Sequence, residues 1–169
     1  MSDFTIKQPI SMVVPINNVK DYIRVSGDDS DNMIKDIIIS VERQIIDITK
    51  IVPSVTDVVV RIFPEESSVV KIPFSPIIAV TQVKNGESTL GLDEYSLQNK
   101  VLSIFPNSKR LKIVATISCG HVDLSDLPSD IKLAILMQTA YVYDNRDGSK
   151  VGIMPAMADL LSKFRVFKF

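Results

Sequence analysis

Asp31-Asn32-Met33-Ile34-Lys35-Asp36-Ile37-Ile38-Ile39-Ser40-Val41-Glu42-Arg43-Gln44-Ile45-Ile46-Asp47-Ile48-Thr49 is the stretch on which the reading of the chain turns. Ile34, Ile37, Ile38, Val41, Ile45 and Ile48 recur at three- and four-residue steps, which places them on one face of an α-helix. An amphipathic helix of about five turns is predicted. Asp28, Asp29, Ser30 and Asp31 supply side-chain oxygens and negative charge where its free backbone amides need capping. Pro53 sets the limit beyond which it cannot run. Ile39 and Ile46 fall off the main stripe, and β-branched residues are mediocre helix formers, so a second buried surface is expected there. A neighbouring subunit and a wider internal core are both open as its origin.

Working outward, Val19, Tyr22 and Ile23 give a shorter helix over Asn17 to Ile23, separated from the first by a turn at Gly27. The second helix lacks the basic and amide side chains of a DNA reader. From Asp57 to Ser118 the pattern changes to short Val/Ile-rich runs, 57–63, 69–72, 77–84, 95–98, 101–105 and 111–118, which predict a small antiparallel sheet. Asn85-Gly86 is a type I′ hairpin signal, and Gln98-Asn99-Lys100 a second reversal. Pro73 and Pro76 cannot donate to a ladder and mark an edge or a bend. Ser129 is positioned to cap a third helix through Asn145, with Ile131, Ala134, Ile135, Gln138, Tyr141, Val142 and Tyr143 as a broad packing surface, and Gly148 can end it. Tyr141, Tyr143 and Arg146 read as the core-facing end of that helix. Pro155 fits the first position of a fourth helix carrying Met157, Leu160, Leu161 and Phe164. The expectation is an α+β fold, a helical core of about four helices with a small antiparallel sheet inserted. It forms one domain over 1–169, divided as 15–52, 55–120, 129–147 and 154–169.

The chain has 169 residues, enough to remove roughly 70% of the unfolded surface from water. Its apolar content of 46% against 23% charged is that of a folding chain. Nineteen Lys and Arg against twenty Asp and Glu leave a net charge of -1, so specific DNA binding has no electrostatic footing. The one cysteine, Cys119, excludes an internal disulfide framework and fits folding in a reducing cytoplasm. Met1 to Pro15 does not read as a signal peptide, and no run approaches the ~18 to 20 apolar residues of a membrane span.

Cys119-Gly120-His121 is the one nucleophile and base pair on offer, without a third group to orient the imidazole. A strand entering a Gly turn accounts for it better. The acidic run from Asp28 lacks the Gly and Glu of a calcium loop at its sixth and twelfth positions, where Met33 and Ile39 stand. There is no phosphate loop, histidine pair or nucleophile elbow, so no catalytic residue, cofactor or metal is assigned. The segment Phe164-Arg165-Val166-Phe167-Lys168-Phe169 is unusually aromatic for a place that is commonly frayed and polar. Folding it back on the core would gain ~6 to 10 kcal/mol of burial. Ordering it costs ~6 to 12 kcal/mol of backbone entropy, so the balance for one chain is near zero. Many copies docking together on a symmetric partner would multiply such marginal contacts.

Four strings in order resemble the head–tail connector (adaptor) family of long-tailed phages. Val19-Lys20-Asp21-Tyr22-Ile23-Arg24-Val25 with the acidic turn Gly27 to Asp31 is similar to the family's VKxYLRI opening. Ile72-Pro73-Phe74-Ser75-Pro76-Ile77 to Val80 is similar to its LPxxPVxxV strand. Leu127-Pro128-Ser129-Asp130-Ile131-Lys132-Leu133-Ala134-Ile135 and Tyr143-Asp144-Asn145-Arg146-Asp147 resemble its LPxDIKxAIL and YENRE helix, and Met154-Pro155 with Leu160-Leu161 and Phe164-Arg165 resembles its ending. Phenylalanine stands for tyrosine before Arg165, and the segment after it is longer and more aromatic than the pattern. The resemblance implies a virion structural protein of the neck, not an enzyme. Its copies would form a homo-oligomeric ring of about twelve with closed cyclic symmetry. Its implied partners are the portal protein above and the next neck or tail protein below, with DNA passing through unbound and no membrane involved. Phe164, Arg165, Val166, Phe167, Lys168 and Phe169 are the expected portal-binding residues, and Ile39 and Ile46 the expected subunit contacts. A stopper or tail-completion ring of the same neck is the alternative.

Overall fold

The computed structural model describes residues 3–9, 12–63, 68–105, 112–148 and 152–164. It has the α+β composition expected, with four helices among the described residues and the strands divided between two antiparallel sheets. Two compact units arise, one from Met1–Ile10 and Thr56–Gly120, the other from Ser11–Val55 and His121–Phe169.

The second unit contains α1 (Ile16–Ile23), α2 (Asp31–Thr49), α3 (Ser129–Asp144) and α4 (Pro155–Ser162). The stripe read from the α2 sequence is its core: Ile34, Ile38, Val41 and Ile45 are fully buried. Ile37 and Ile48 pack partly buried at its margin. They share the core with Val19 of α1, Ile131, Ala134 and Ile135 of α3, and Met157 and Leu161 of α4. At ~1.5 to 3 kcal/mol per fully buried aliphatic side chain, this is the main force assembling the unit.

The acidic cluster does a different job from the one predicted. Ser30 is the residue before α2 but makes no side-chain capping bond. The carboxylates are drawn instead to Lys20 on α1, whose Nζ donates to Asp31 Oδ1 at 2.8 Å and to Asp28 Oδ1 at 3.0 Å. Both contacts hold the Lys20 pKa above its ordinary value, Asp31 more than Asp28. The lysine stem is covered while its charge meets Asp28 at the rim, so the cluster staples α1 to the start of α2. Ser129 likewise is the first helical residue and not the cap: Pro128 precedes α3, again without a side-chain bond. Pro155 opens α4 as expected. Gly148 takes positive φ (79°) a few residues past the end of α3, and the last turn is closed by the Asn145 side chain donating to the Tyr141 carbonyl at 2.7 Å.

The strand unit holds β1 (Asp3–Pro9), β2 (Thr56–Ile62), β3 (Val69–Lys71), β4 (Ile77–Asn85), β5 (Ser88–Thr89), β6 (Tyr95–Gln98), β7 (Val101–Ile104) and β8 (Ile113–Cys119). One sheet runs β1-β2-β8-β4-β5 and the other β3-β7-β6. β8 alternates buried and partly buried residues along its whole length, the signature of a strand with one face on a core. β1 was not marked by the period and adds an edge through pairs such as Phe4 with Val60. The type I′ geometry predicted at Asn85-Gly86 is found at the other reversal: Asn99 and Lys100 both have positive φ (49° and 64°), joining β6 to β7. At the first hairpin Asn85 stays in the ladder opposite Ser88, and Gly86 carries the positive φ. The Pro73–Pro76 stretch is the bend between β3 and β4, with Phe74 buried.

Within the helical unit the segments leading to and from the strands are fastened by one buried network. Ser54 Oγ donates to Glu42 Oε1 at 2.7 Å and accepts from the Val13 amide at 2.8 Å. The His121 amide donates to the Pro53 carbonyl at 3.1 Å. Glu42 is 3% exposed, and burial pushes its pKa up to about 7 against the pull of the Ser54 hydrogen bond. The folded chain therefore keeps the Glu42 proton at pH values where the unfolded chain has lost it. Its contribution to stability is full below about pH 4.5 and fades as pH rises through about 7, a change on the order of 3 kcal/mol. Glu42→Gln, which still accepts from Ser54, is expected to remove this fall and to be more stable than the parent at pH 8. Urea unfolding at pH 5 and pH 8 measures both.

Candidate functional site: an assembly surface

α3 and α4 are set against each other by a residue whose role the sequence pattern does not reveal. Gln138, read as part of an apolar surface, is fully buried and donates from Nε2 to the Gly152 carbonyl at 2.9 Å. Its Oε1 accepts the Met154 amide, also at 2.9 Å. One amide side chain thus satisfies two backbone groups of the segment that leads into α4, and so fixes where α4 starts.

Between the two helices lies an open groove of about 510 Å³, lined by Leu133 and Met137 of α3, Ala156, Asp159 and Leu160 of α4, and Lys163. Leu133 and Met137 are one turn apart, as are Ala156 and Leu160, so each helix contributes an outward ridge. Leu133 is 39% exposed. Lys163 at one end is ion-paired with Asp130. Further apolar side chains lie exposed on this unit: Tyr22, Met33, Val122 and Ile153. On the strand unit Leu92 (84%), Val69, Phe105, Ile78 and Phe63 are exposed.

The expected subunit contacts separate. Ile39 is half-buried and retains surface to offer, whereas Ile46 is 5% exposed in the single chain and has little. Among the expected portal-binding residues, Phe164 packs partly buried against the helical core, with Lys163 Nζ 5.2 Å from its ring centre. Arg165, Val166, Phe167, Lys168 and Phe169 lie outside the described residues. Tyr143 packs on the core, its hydroxyl 3.5 Å from Ser30 Oγ, and the Arg146 guanidinium lies over its ring at 4.8 Å and donates to its carbonyl. Of the three residues expected at a core-facing helix end, Tyr143 packs on the core, Tyr141 is half-buried and Arg146 is exposed.

Cys119 is fully buried in β8, and burial first, then Asp57, pushes its thiol up to about 12, so it carries no thiolate near neutral pH. Burial lowers the His121 pKa, with Asp126 opposing. The thiol is therefore not tuned as a nucleophile. Among the described residues no group of three acidic, His or Cys side chains converges for a metal, and no helix is long and apolar enough to cross a membrane.

No protein-family model matches the chain, and no characterised protein matches it in sequence. The fold has counterparts among solved structures. A chain in the neck of a native gene transfer agent particle, computed with C12 symmetry, superposes with a TM-score of 0.76 at 14% identity. One in the virion of the native particle gives 0.73 at 15%. One in the neck of the empty particle, computed with C6 symmetry, gives 0.72 at 14%. Each alignment covers 98% of this chain and 97% of the other. At such identity the likeness is one of fold.

Gln138→Leu keeps the volume but orphans the Gly152 carbonyl and the Met154 amide, and is expected to cost about 1 to 3 kcal/mol. Amide exchange in α4 should accelerate while exchange in β8 does not, which hydrogen–deuterium exchange would resolve.

Proposed function

We propose that this chain is a structural subunit of a tailed-phage neck, the head–tail adaptor, a closed ring of about twelve copies beneath the portal. The observation that carries this reading is the likeness of fold to chains from particle necks over 98% of this chain and 97% of theirs. The neck chain from a C12 particle supports the copy number. The connector-like strings at Val19–Val25, Ile72–Val80, Leu127–Ile135 and Met154–Arg165 favour the adaptor within the neck.

In this reading the ring works as a conduit in the virion. A net charge of -1 gives the DNA passing through it no attraction to overcome. Ile39, half-buried on α2, contributes to the seam between copies. Phe164 stays with its own core, and Arg165 to Phe169 provide the portal contact: Val166, Phe167 and Phe169 as apolar anchors, Arg165 and Lys168 as partners for acidic groups. The next neck or tail protein closes on the opposite side.

Removal of residues 165–169 is expected to weaken capture by an immobilised portal ring at least tenfold while leaving the helical circular dichroism unchanged. Ile39→Asp should leave the single chain folded and reduce closed rings on the portal, seen by negative-stain imaging. Undiminished capture by the shortened chain would remove the portal role from that segment.

A further inference from the structure

The chain passes between its two units three times, at 10–11, 55–56 and 120–121. On the helical side the three passages are held at one place. Ser54, just before the second, accepts the amide of Val13, just past the first, and the His121 amide at the third donates to the Pro53 carbonyl. Ser54 Oγ in turn donates to Glu42 Oε1 at 2.7 Å, so the passages converge on one carboxyl of α2. We propose that Glu42 is a proton-operated clasp: neutral, it keeps segments 12–15 and 53–55 closed over α2, and once ionised it is relieved by their local opening while the rest of the helical unit stays folded.

The surroundings make the charged form costly to keep. An ionised carboxylate out of water needs a cation or several donors, and Ser54 supplies one hydrogen bond. Segments 12–15, Met-Val-Val-Pro, and 51–55, Ile-Val-Pro-Ser-Val, carry no charged side chain. One turn away on α2 stand Ile38, Ile39, Ile45 and Ile46. Arg43 beside Glu42 is exposed, and Lys35 stands two turns, about 10 Å, along the helix. On the helices packed against α2, Lys20 of α1 is held by Asp28 and Asp31, and Asp130 of α3 by Lys163. None of these is among the influences on Glu42, which are burial first and then the Ser54 hydrogen bond. His121 is the titratable side chain at the third passage; burial, against Asp126, holds its pKa below 6.5, so above that pH it is mainly neutral. Water admitted by opening returns Glu42 from about 7 to its ordinary range near 4.5. The open form therefore gains on the closed one as pH rises, about tenfold from pH 6 to pH 8, and the gain levels off beyond.

The test is amide hydrogen exchange on the full chain, followed residue by residue by nuclear magnetic resonance and corrected for the intrinsic exchange rate. Protection of the Val13 amide is expected to fall about tenfold from pH 6 to pH 8. It should be indifferent to dilute urea, because a local opening exposes little surface, whereas amides in the middle of α3 respond steeply. In Glu42→Gln the pH dependence at Val13 should vanish. A fall that survives in that variant belongs to His121 or another group and overturns the proposal. So does Val13 protection that tracks α3 at every urea concentration, which makes the opening global. Should Glu42→Gln fail to fold, the unmodified chain still decides. The carbon-13 signal of the Glu42 side-chain carboxyl is expected to titrate at about 7, in step with Val13 protection. A midpoint in the ordinary carboxylate range contradicts the clasp.

Discussion

Burial of one stripe, Ile34, Ile38, Val41 and Ile45, against α3 and α4 is the interaction from which the helical unit follows. Without it α1 has no surface to be stapled to, and α3 and α4 have no reason to lie side by side. The polar groups that surround the stripe then act as fasteners. Lys20 with Asp28 and Asp31 sets α1, Gln138 sets α4, and Glu42 with Ser54 and Val13 ties the segments that leave for the strands. Each is partly or wholly withdrawn from water, where loss of one partner costs more than the bond itself contributes.

The same order of forces separates what could be read in the sequence from what could not. The α2 stripe was legible because six aliphatic residues share one period, and Pro155 because its geometry admits few places. β1 was not, since Phe4 and Ile6 alone alternate with polar neighbours and its pairing with β2 joins residues about fifty positions apart. The capping expected of Ser30 and Ser129 failed for a nonlocal reason: for α2 the acidic oxygens found Lys20, a partner on another helix. Gln138 read as part of a packing surface and Glu42 as an ordinary polar position, and only the fold reveals that Gln138 is buried against backbone groups 14 and 16 positions on and Glu42 against a hydroxyl 12 positions on. Of the two expected subunit contacts, Ile39 is half-buried and Ile46 buried, because the covered face of α2 is wider than the main stripe.

The features that the described residues leave on the surface fit the proposed assembly role. Its cysteine is buried and protonated, and among the described residues large apolar side chains lie exposed on both units. In a ring of identical copies such features are satisfied by repetition, each weak contact reinforced by those already formed.

The most direct test of the adaptor reading is the mass in solution of a purified portal ring mixed with this chain. The account predicts a closed ring added in fixed stoichiometry, about one copy per portal subunit. No association at any salt concentration would contradict it and move the chain to a stopper or tail-completion position in the neck.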